Sequence, residues 1–202
     1  MYINKPLGEY LDELTARKPA PGGGSAAALG ASIGAALLSM VLNYTVGNEK
    51  YKDVQEKAVA ILVKIEKFRN QLQGLIDEDV AVYNKLAKAL KQKKRDPDSL
   101  EVLRKEAADV PFEVCRISSE CLKLCKEAAE CGNENLITDS AIAAIMFEGA
   151  FLAAKFNVYI NLKYIKDMEY IGEVHKVLAP LEKEMPKLKE EIIEKCEDVI
   201  SK

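Results

Sequence analysis

From Ala26 to Gly47 the chain runs without a charged side chain, and directly before that run stands Pro21-Gly22-Gly23-Gly24-Ser25. A charge-free stretch of this length either crosses a bilayer or becomes a helix enclosed by other helices. This one is mostly Ala, Gly and Ser and closes on Asn43, Tyr44 and Thr45, so its apolar drive is small beside that of a Leu/Ile/Val span. It therefore reads as the central helix of a soluble bundle, buried on all sides, with Gly30 and Gly34 permitting close approach of its neighbours.

Three consecutive glycines open backbone conformations closed to other residues and let a ligand come near the main chain, while Ser25 is placed to cap the helix that follows. Such a loop can hold an anion or a polar ring. It is not a Walker loop, since no Gly-Lys-Ser/Thr follows, nor a dinucleotide fingerprint, since no strand precedes it. A turn that packs two helices tightly together is the alternative reading.

The rest of the chain is helical in period. Leu7, Tyr10, Leu11 and Leu14 predict a short first helix stopped by Lys18-Pro19-Ala20-Pro21. From Tyr51 to Lys94 an apolar stripe including Val54, Ile61, Ile65, Leu72, Leu75 and Tyr83 predicts one long amphipathic helix, ended by Arg95-Asp96-Pro97-Asp98. The next helix, capped by Asp98 or Ser99, is expected to be divided or kinked at Pro111 before reaching Cys131. After the turn Gly132-Asn133-Glu134-Asn135, a second Ala-rich helix opens near Thr138-Asp139-Ser140 and continues past Asn161, and a charged tail follows, interrupted at Pro180 and Pro186. No strand pattern appears, so the fold class is all-α, an up-and-down bundle of long helices forming one domain over residues 1–202.

Acidic and basic residues, 32 and 29, are spread along the chain, which argues against a nucleic-acid surface and for small molecules or protein partners. The five cysteines lack paired C-x-x-C spacing and the one histidine, His175, lies far from them, so no metal site is expected. An odd cysteine count and no N-terminal apolar segment point to a reducing cytoplasm, with most thiols acting as small buried hydrophobes.

Two aspartates in the long helix separate by period. Asp79 falls in register with Leu72, Leu75, Ile76 and Tyr83, whereas Asp77 aligns with Gln73, Asn84 and Lys88 on the polar side. A carboxyl on an apolar stripe must be hydrogen-bonded, paired or protonated, and a raised pKa is what acid/base chemistry near neutrality requires. A structural pair with Lys, Arg or Asn accounts for it equally well. In the charge-free helix Ser25, Ser32, Ser39 and Asn43 share one face that could line a polar pocket, and the Asn43 amide needs a partner or ligand. In the second Ala-rich helix Asn157 and Asn161 share a face, and Asp139 lies about 27 Å away along the axis, where it can complement the helix N-terminus. Glu148 and Lys155 form either a buried polar cluster or part of an interface, and His175 reads as a surface or packing residue.

As an ordered set these residues resemble the cyclodeaminase/cyclohydrolase family of folate enzymes, the all-helical C-terminal domain of formiminotransferase-cyclodeaminase and its free-standing bacterial relatives. The glycine motif with its Ala/Gly helix, Asn43-Tyr44-Thr45-Val46-Gly47, Lys50-Tyr51, Leu75-Ile76-Asp77-Glu78-Asp79 and Tyr83 look like the family's first half. Gly132 through Asp139, Gly149-Ala150 and Asn157-Val158-Tyr159-Ile160-Asn161 look like its second, with Thr138 where Ser would be expected. The resemblance implies cyclisation of 5-formimidoyltetrahydrofolate to 5,10-methenyltetrahydrofolate with release of ammonia. The alternatives are a methenyltetrahydrofolate cyclohydrolase and a non-catalytic folate-binding or scaffold bundle. It further implies Asp79 as acid/base carboxylate with Asp77 as fallback, and Asp139 as a second acid/base or pterin-anchoring group. Pro21, Gly22, Gly23, Gly24, Ser25, Asn43, Asn135, Asn157 and Asn161 would bind the folate. No metal or organic cofactor is needed, no nucleic acid or membrane is engaged, and a homodimer or larger homo-oligomer is expected.

Overall fold

A computed structural model describes residues 1–92 and 96–202. Six α-helices carry the fold: α1 Leu7–Thr15, α2 Gly23–Asn43, α3 Gln55–Leu90, α4 Pro97–Cys131, α5 Ile137–Leu162 and α6 Met168–Ile200. Short 3-10 turns at Tyr2–Asn4, Glu49–Val54 and Glu134–Leu136 precede α1, α3 and α5. The described residues contain no strand, and α2 to α6 form the up-and-down bundle that the periodicity predicts. The expected stop at Arg95 and the continuation to Lys94 lie outside the described residues.

Small side chains put α2 at the centre. Ala27, Ala28, Ala31, Ala35 and Leu38 are almost wholly buried, and α2 packs on α3, α4 and α5. Against α5 it runs antiparallel: Gly23 meets Asn157, and Gly34 meets Met146 and Phe147 so closely that a Cβ at 34 would lie 3.0 Å from the Phe147 ring. Contrary to the expectation of burial on every side, one edge of α2 is uncovered. Ile33 and Ala36 are exposed there, because α3, α4 and α5 occupy only the other flanks. Both Gly23–Asn43 and Glu134–Leu162 are long and apolar enough to cross a membrane.

The prolines do not interrupt their helices. α4 continues through Pro111, and α6 through Pro180 and Pro186. A proline inside a helix deprives the carbonyl four residues earlier of its donor, and for Pro111 that carbonyl belongs to Ala107. The Nδ2 of Asn161 on α5 supplies the missing bond at 2.8 Å, so a neighbouring helix repairs the defect and α4 is not divided there. The five cysteines are free and buried. Glu148 and Lys155 reach across to α6, where they pair with Lys189 at 3.5 Å and Glu182 at 3.6 Å. His175 is exposed and lies beside the Tyr159 ring.

Candidate active site

At the N-terminus of α2 the chain arrives through a cis Ala20–Pro21 peptide and turns into helix at Gly22, which is the N-cap. The three glycines do not form a left-handed loop, since Gly47 alone among the described residues has a positive φ, and Ser25 is not the cap but lies inside the first turn, fully buried. The hydroxyl of Ser25 hydrogen-bonds the buried Tyr10 hydroxyl at 3.2 Å. A glycine cap has no side chain to answer the first amides of a helix. Here the answer comes from α3, because the backbone N–H of Ser25 donates to Asp79 Oδ2 at 2.9 Å.

Gly24 makes that approach possible. A Cβ at this position would stand 2.1 Å from Asp79 Oδ1, well inside contact distance. The glycine run therefore serves close approach of a carboxylate rather than unusual backbone torsions. Burial is the main influence on Asp79 and raises its pKa above the ordinary carboxylate value, while the Ser25 N–H opposes the shift. The charge-stripe argument for Asp79 thus meets a half-buried acid at a helix N-terminus, with one oxygen committed to Ser25.

Beside Asp79 a cleft of about 150 Å³ is walled by Gly22 and Gly23 of α2, Val82 and Tyr83 of α3, Val110 of α4, and Asn157, Ile160 and Asn161 of α5. The two asparagines are oriented by their own helix. Asn157 Nδ2 donates to Ala153 O at 2.9 Å, and Asn161 Nδ2 donates to Asn157 O at 2.9 Å as well as to Ala107 O. Carbonyls only accept, so these bonds fix which end of each amide is nitrogen. The Oδ1 atoms remain as acceptors. With Asp79 they give the cleft acceptors suited to a ring bearing N–H and NH₂ groups, beside a carboxyl whose protonated form burial favours.

The other expected site residues lie elsewhere. Asp77 accepts a bond from the backbone N–H of Tyr2 and ties down the N-terminal turn, which takes it away from the cleft. Ser32 and Ser39 are buried between helices and line no part of this cleft. Asn43 is exposed at the far end of α2, about 29 Å from Gly24 by helical rise. Asp139, in the first turn of α5, belongs to that same far end, and Asn135 is exposed in the turn before it. The residue that organises this end is Asn133. Its backbone N–H donates to Thr45 Oγ1 at 2.9 Å, its Nδ2 to Tyr44 O at 3.2 Å, and its Oδ1 accepts from the Tyr51 hydroxyl at 3.2 Å and from Asn135 N at 3.0 Å. Lys50 adds a 3.0 Å pair to Glu134.

Sequence reasoning set Tyr83 in register with Asp79 but gave it no place in the site, and it passed over the walls Val82, Ala107 and Val110, although Pro111 inside a strongly periodic helix marks the Ala107 carbonyl four residues before it as needing a donor.

The sequence model of the family Formiminotransferase-cyclodeaminase matches residues 6–180. The chain is 35% identical over 198 residues to a methenyltetrahydrofolate cyclohydrolase of Methylorubrum extorquens, covering 95% of each. It is 30% identical over 186 residues to the formimidoyltransferase-cyclodeaminase of Mus musculus, where the match takes in 89% of this chain but 34% of the longer protein. Its fold superposes on the crystal structure of a formiminotetrahydrofolate cyclodeaminase from Thermotoga maritima with a TM-score of 0.92 at 30% identity, covering 99% of this chain and all of the other.

Proposed function

The chain belongs to the formiminotransferase-cyclodeaminase family, and from that premise we propose that its cleft cyclises 5-formimidoyltetrahydrofolate to 5,10-methenyltetrahydrofolate and releases ammonia. The observation that carries this reading is the half-buried Asp79 carboxyl, its pKa raised by burial, opening onto a cleft edged by amide oxygens.

The pterin presents N–H and NH₂ groups that match the acceptor edge formed by Asn157 and Asn161. Held there, the folded substrate brings N10 to the formimino carbon, and positioning supplies much of the rate. N10 attacks the carbon of the protonated formimino group, a C–N10 bond forms as the C=N π pair withdraws onto its nitrogen to leave an amino group, and the N10 proton passes to the Asp79 carboxylate. Asp79 then returns that proton to the amino group on the same carbon. Ammonia leaves as the N5 lone pair closes the methenyl cation, and the aspartate ends as it began. Burial favours the acid form of Asp79 while the Ser25 N–H opposes it by stabilising the carboxylate.

The similarity to a methenyltetrahydrofolate cyclohydrolase favours a second reading, in which water meets the same carbon in the same cleft. Incubation with 5-formimidoyl- and with methenyltetrahydrofolate, following methenyl absorbance and ammonia together, separates the two. Methenyl appearance with ammonia supports the cyclodeaminase, methenyl loss alone supports the cyclohydrolase, and no change with either substrate rejects both. The proposal assigns no role to a metal or organic cofactor, places the protein in the cytoplasm without nucleic-acid or membrane partners, and has it act as a homo-oligomer.

A further inference from the structure

The first turn of α2 has little of its own to hold it. Gly22, Gly23 and Gly24 carry no side chains, and glycine loses more backbone freedom on ordering than any other residue. Ser25 is the first residue of the helix with a side chain to anchor it, and that side chain is fully buried. Its hydroxyl meets the hydroxyl of Tyr10 at 3.2 Å. Tyr10 is the buried residue of α1. A buried phenol and a buried serine each need a partner, and here they answer one another. Tyr10 is held in turn from outside. The Tyr2 ring stands edge-on to it with centroids 5.5 Å apart, and the Tyr2 N–H donates to Asp77 on α3. The Tyr2 hydroxyl donates to Glu13 at 2.6 Å, which closes the N-terminal turn back onto α1.

Neither Tyr10 nor Ser25 belongs to the walls of the cleft. Their link to its chemistry is the Ser25 N–H, the one hydrogen bond that Asp79 accepts among the described residues. Little else there acts on the Asp79 charge. Among the described residues the cleft walls contain no other charged side chain, α4 and α5 offering only apolar and amide groups and α3 adding the Tyr83 phenol. On its own helix Asp77 is turned to the N-terminal turn and Glu78 to the groove between α3 and α4. From α1 the titratable group nearby is Tyr10 itself, and burial keeps its phenol in the neutral form.

We propose that Tyr10 is a positioning residue for Asp79: through the Ser25 hydroxyl it fixes the glycine-built first turn of α2, and with it the N–H that holds the carboxylate. Its effect on turnover rests on the folate reading above; its hold on Asp79 does not.

Tyr10→Phe keeps the ring against Tyr2 and removes the hydroxyl alone, and Ser25→Ala removes the other half of the same bond. Both should keep the parental helical circular-dichroism signal; if Tyr10→Phe loses it, Ser25→Ala carries the same test. In each, kcat should fall about 10-fold with KM within about twofold, because a misplaced group loses rate before it loses binding. The acid limb of the kcat profile should move up by about one pH unit, since the carboxylate gives up a hydrogen bond that favours it. The double variant should be no worse than either single one, because both break one contact. Carbon-13 NMR titration of the Asp79 carboxyl, its signal identified by its absence from Asp79→Asn, should show the same upward displacement without any substrate. An unmoved Asp79 midpoint in the folded variants, or losses that multiply in the double variant, overturns the proposal. A parent protein inactive on both folates rejects the folate reading, while the carboxyl titration still decides whether Tyr10 positions Asp79.

Discussion

Ser25 and Asp79, 54 residues apart in sequence, meet at the N-terminus of α2, where the amide of the first donates to the carboxylate of the second at 2.9 Å. One carboxylate thereby serves two purposes, closing a helix end and facing the cleft, and substitution separates them. Asp79→Asn keeps an oxygen for the Ser25 amide but cannot carry a proton. Turnover should fall about 10²- to 10⁴-fold, while stability changes by no more than about 1 kcal/mol. Steady-state kinetics beside thermal melting measures both, and a variant with unchanged turnover removes Asp79 from the mechanism.

The pH dependence has a definite sign. Burial raises the folded pKa of Asp79 above its usual 3.8, so the folded protein binds this proton more tightly than the unfolded chain. This contribution to stability is present below the unfolded value and is lost as pH rises through the folded one. Asp79→Asn, which cannot ionise, should therefore gain stability relative to the parent as pH increases across that window, as denaturant titrations at several pH values would show. The acid limb of turnover should lie above the ordinary carboxylate range.

Gly24→Ala should reproduce much of the loss at Asp79, because the added methyl occupies the space of Oδ1 and forces the carboxyl away. Overpacking of this kind costs about 1–3 kcal/mol. Gly74→Ala is the contrasting case: a Cβ there meets nothing within 4 Å inside α3, so stability should rise by about 0.5–1 kcal/mol. Chemical denaturation distinguishes the two, and a Gly24→Ala variant with parental turnover contradicts the close-approach argument.

Asn161→Ala strips the Ala107 carbonyl of its donor and should cost about 1–3 kcal/mol. Pro111→Ala restores a backbone donor for that carbonyl, so in its background the cost of Asn161→Ala should shrink. A double-mutant cycle reads this coupling directly. Additive losses would mean that Asn161 does not compensate for the proline.

Much of this was legible before any coordinates. The bundle follows from apolar period, and Asp79 stood out because a carboxylate on the Leu72–Leu75–Tyr83 stripe needs a local explanation. Period, however, assigns a residue to a face and not to an end of the molecule. The axial rise did set Asp139 about 27 Å from Asn157, and Asn43 and Asp139, which only the family resemblance assigned to the site, stand a full helix length from the Asp79 cleft. Pro111 does not divide α4, one of the two outcomes its residue type suggested. Its cost within α4 is local, but the compensating amide of Asn161 comes from another helix, 54 residues on. Ser25 was taken for a cap because its residue type suits one, although the cap is Gly22 and its missing side chain is replaced from α3.

The borrowed cap also orders events in time. During synthesis α2 is complete long before residue 79 leaves the ribosome, so the nascent chain carries an apolar helix whose first amides have no partner and whose core-facing flanks are bare. Only when α3 docks do the end of that helix and the proton-carrying group come into being, and they do so together. A chain stalled between the two helices therefore lacks both the closed helix end and the acid, and the flanks of α2 stay open until α4 and α5 also dock.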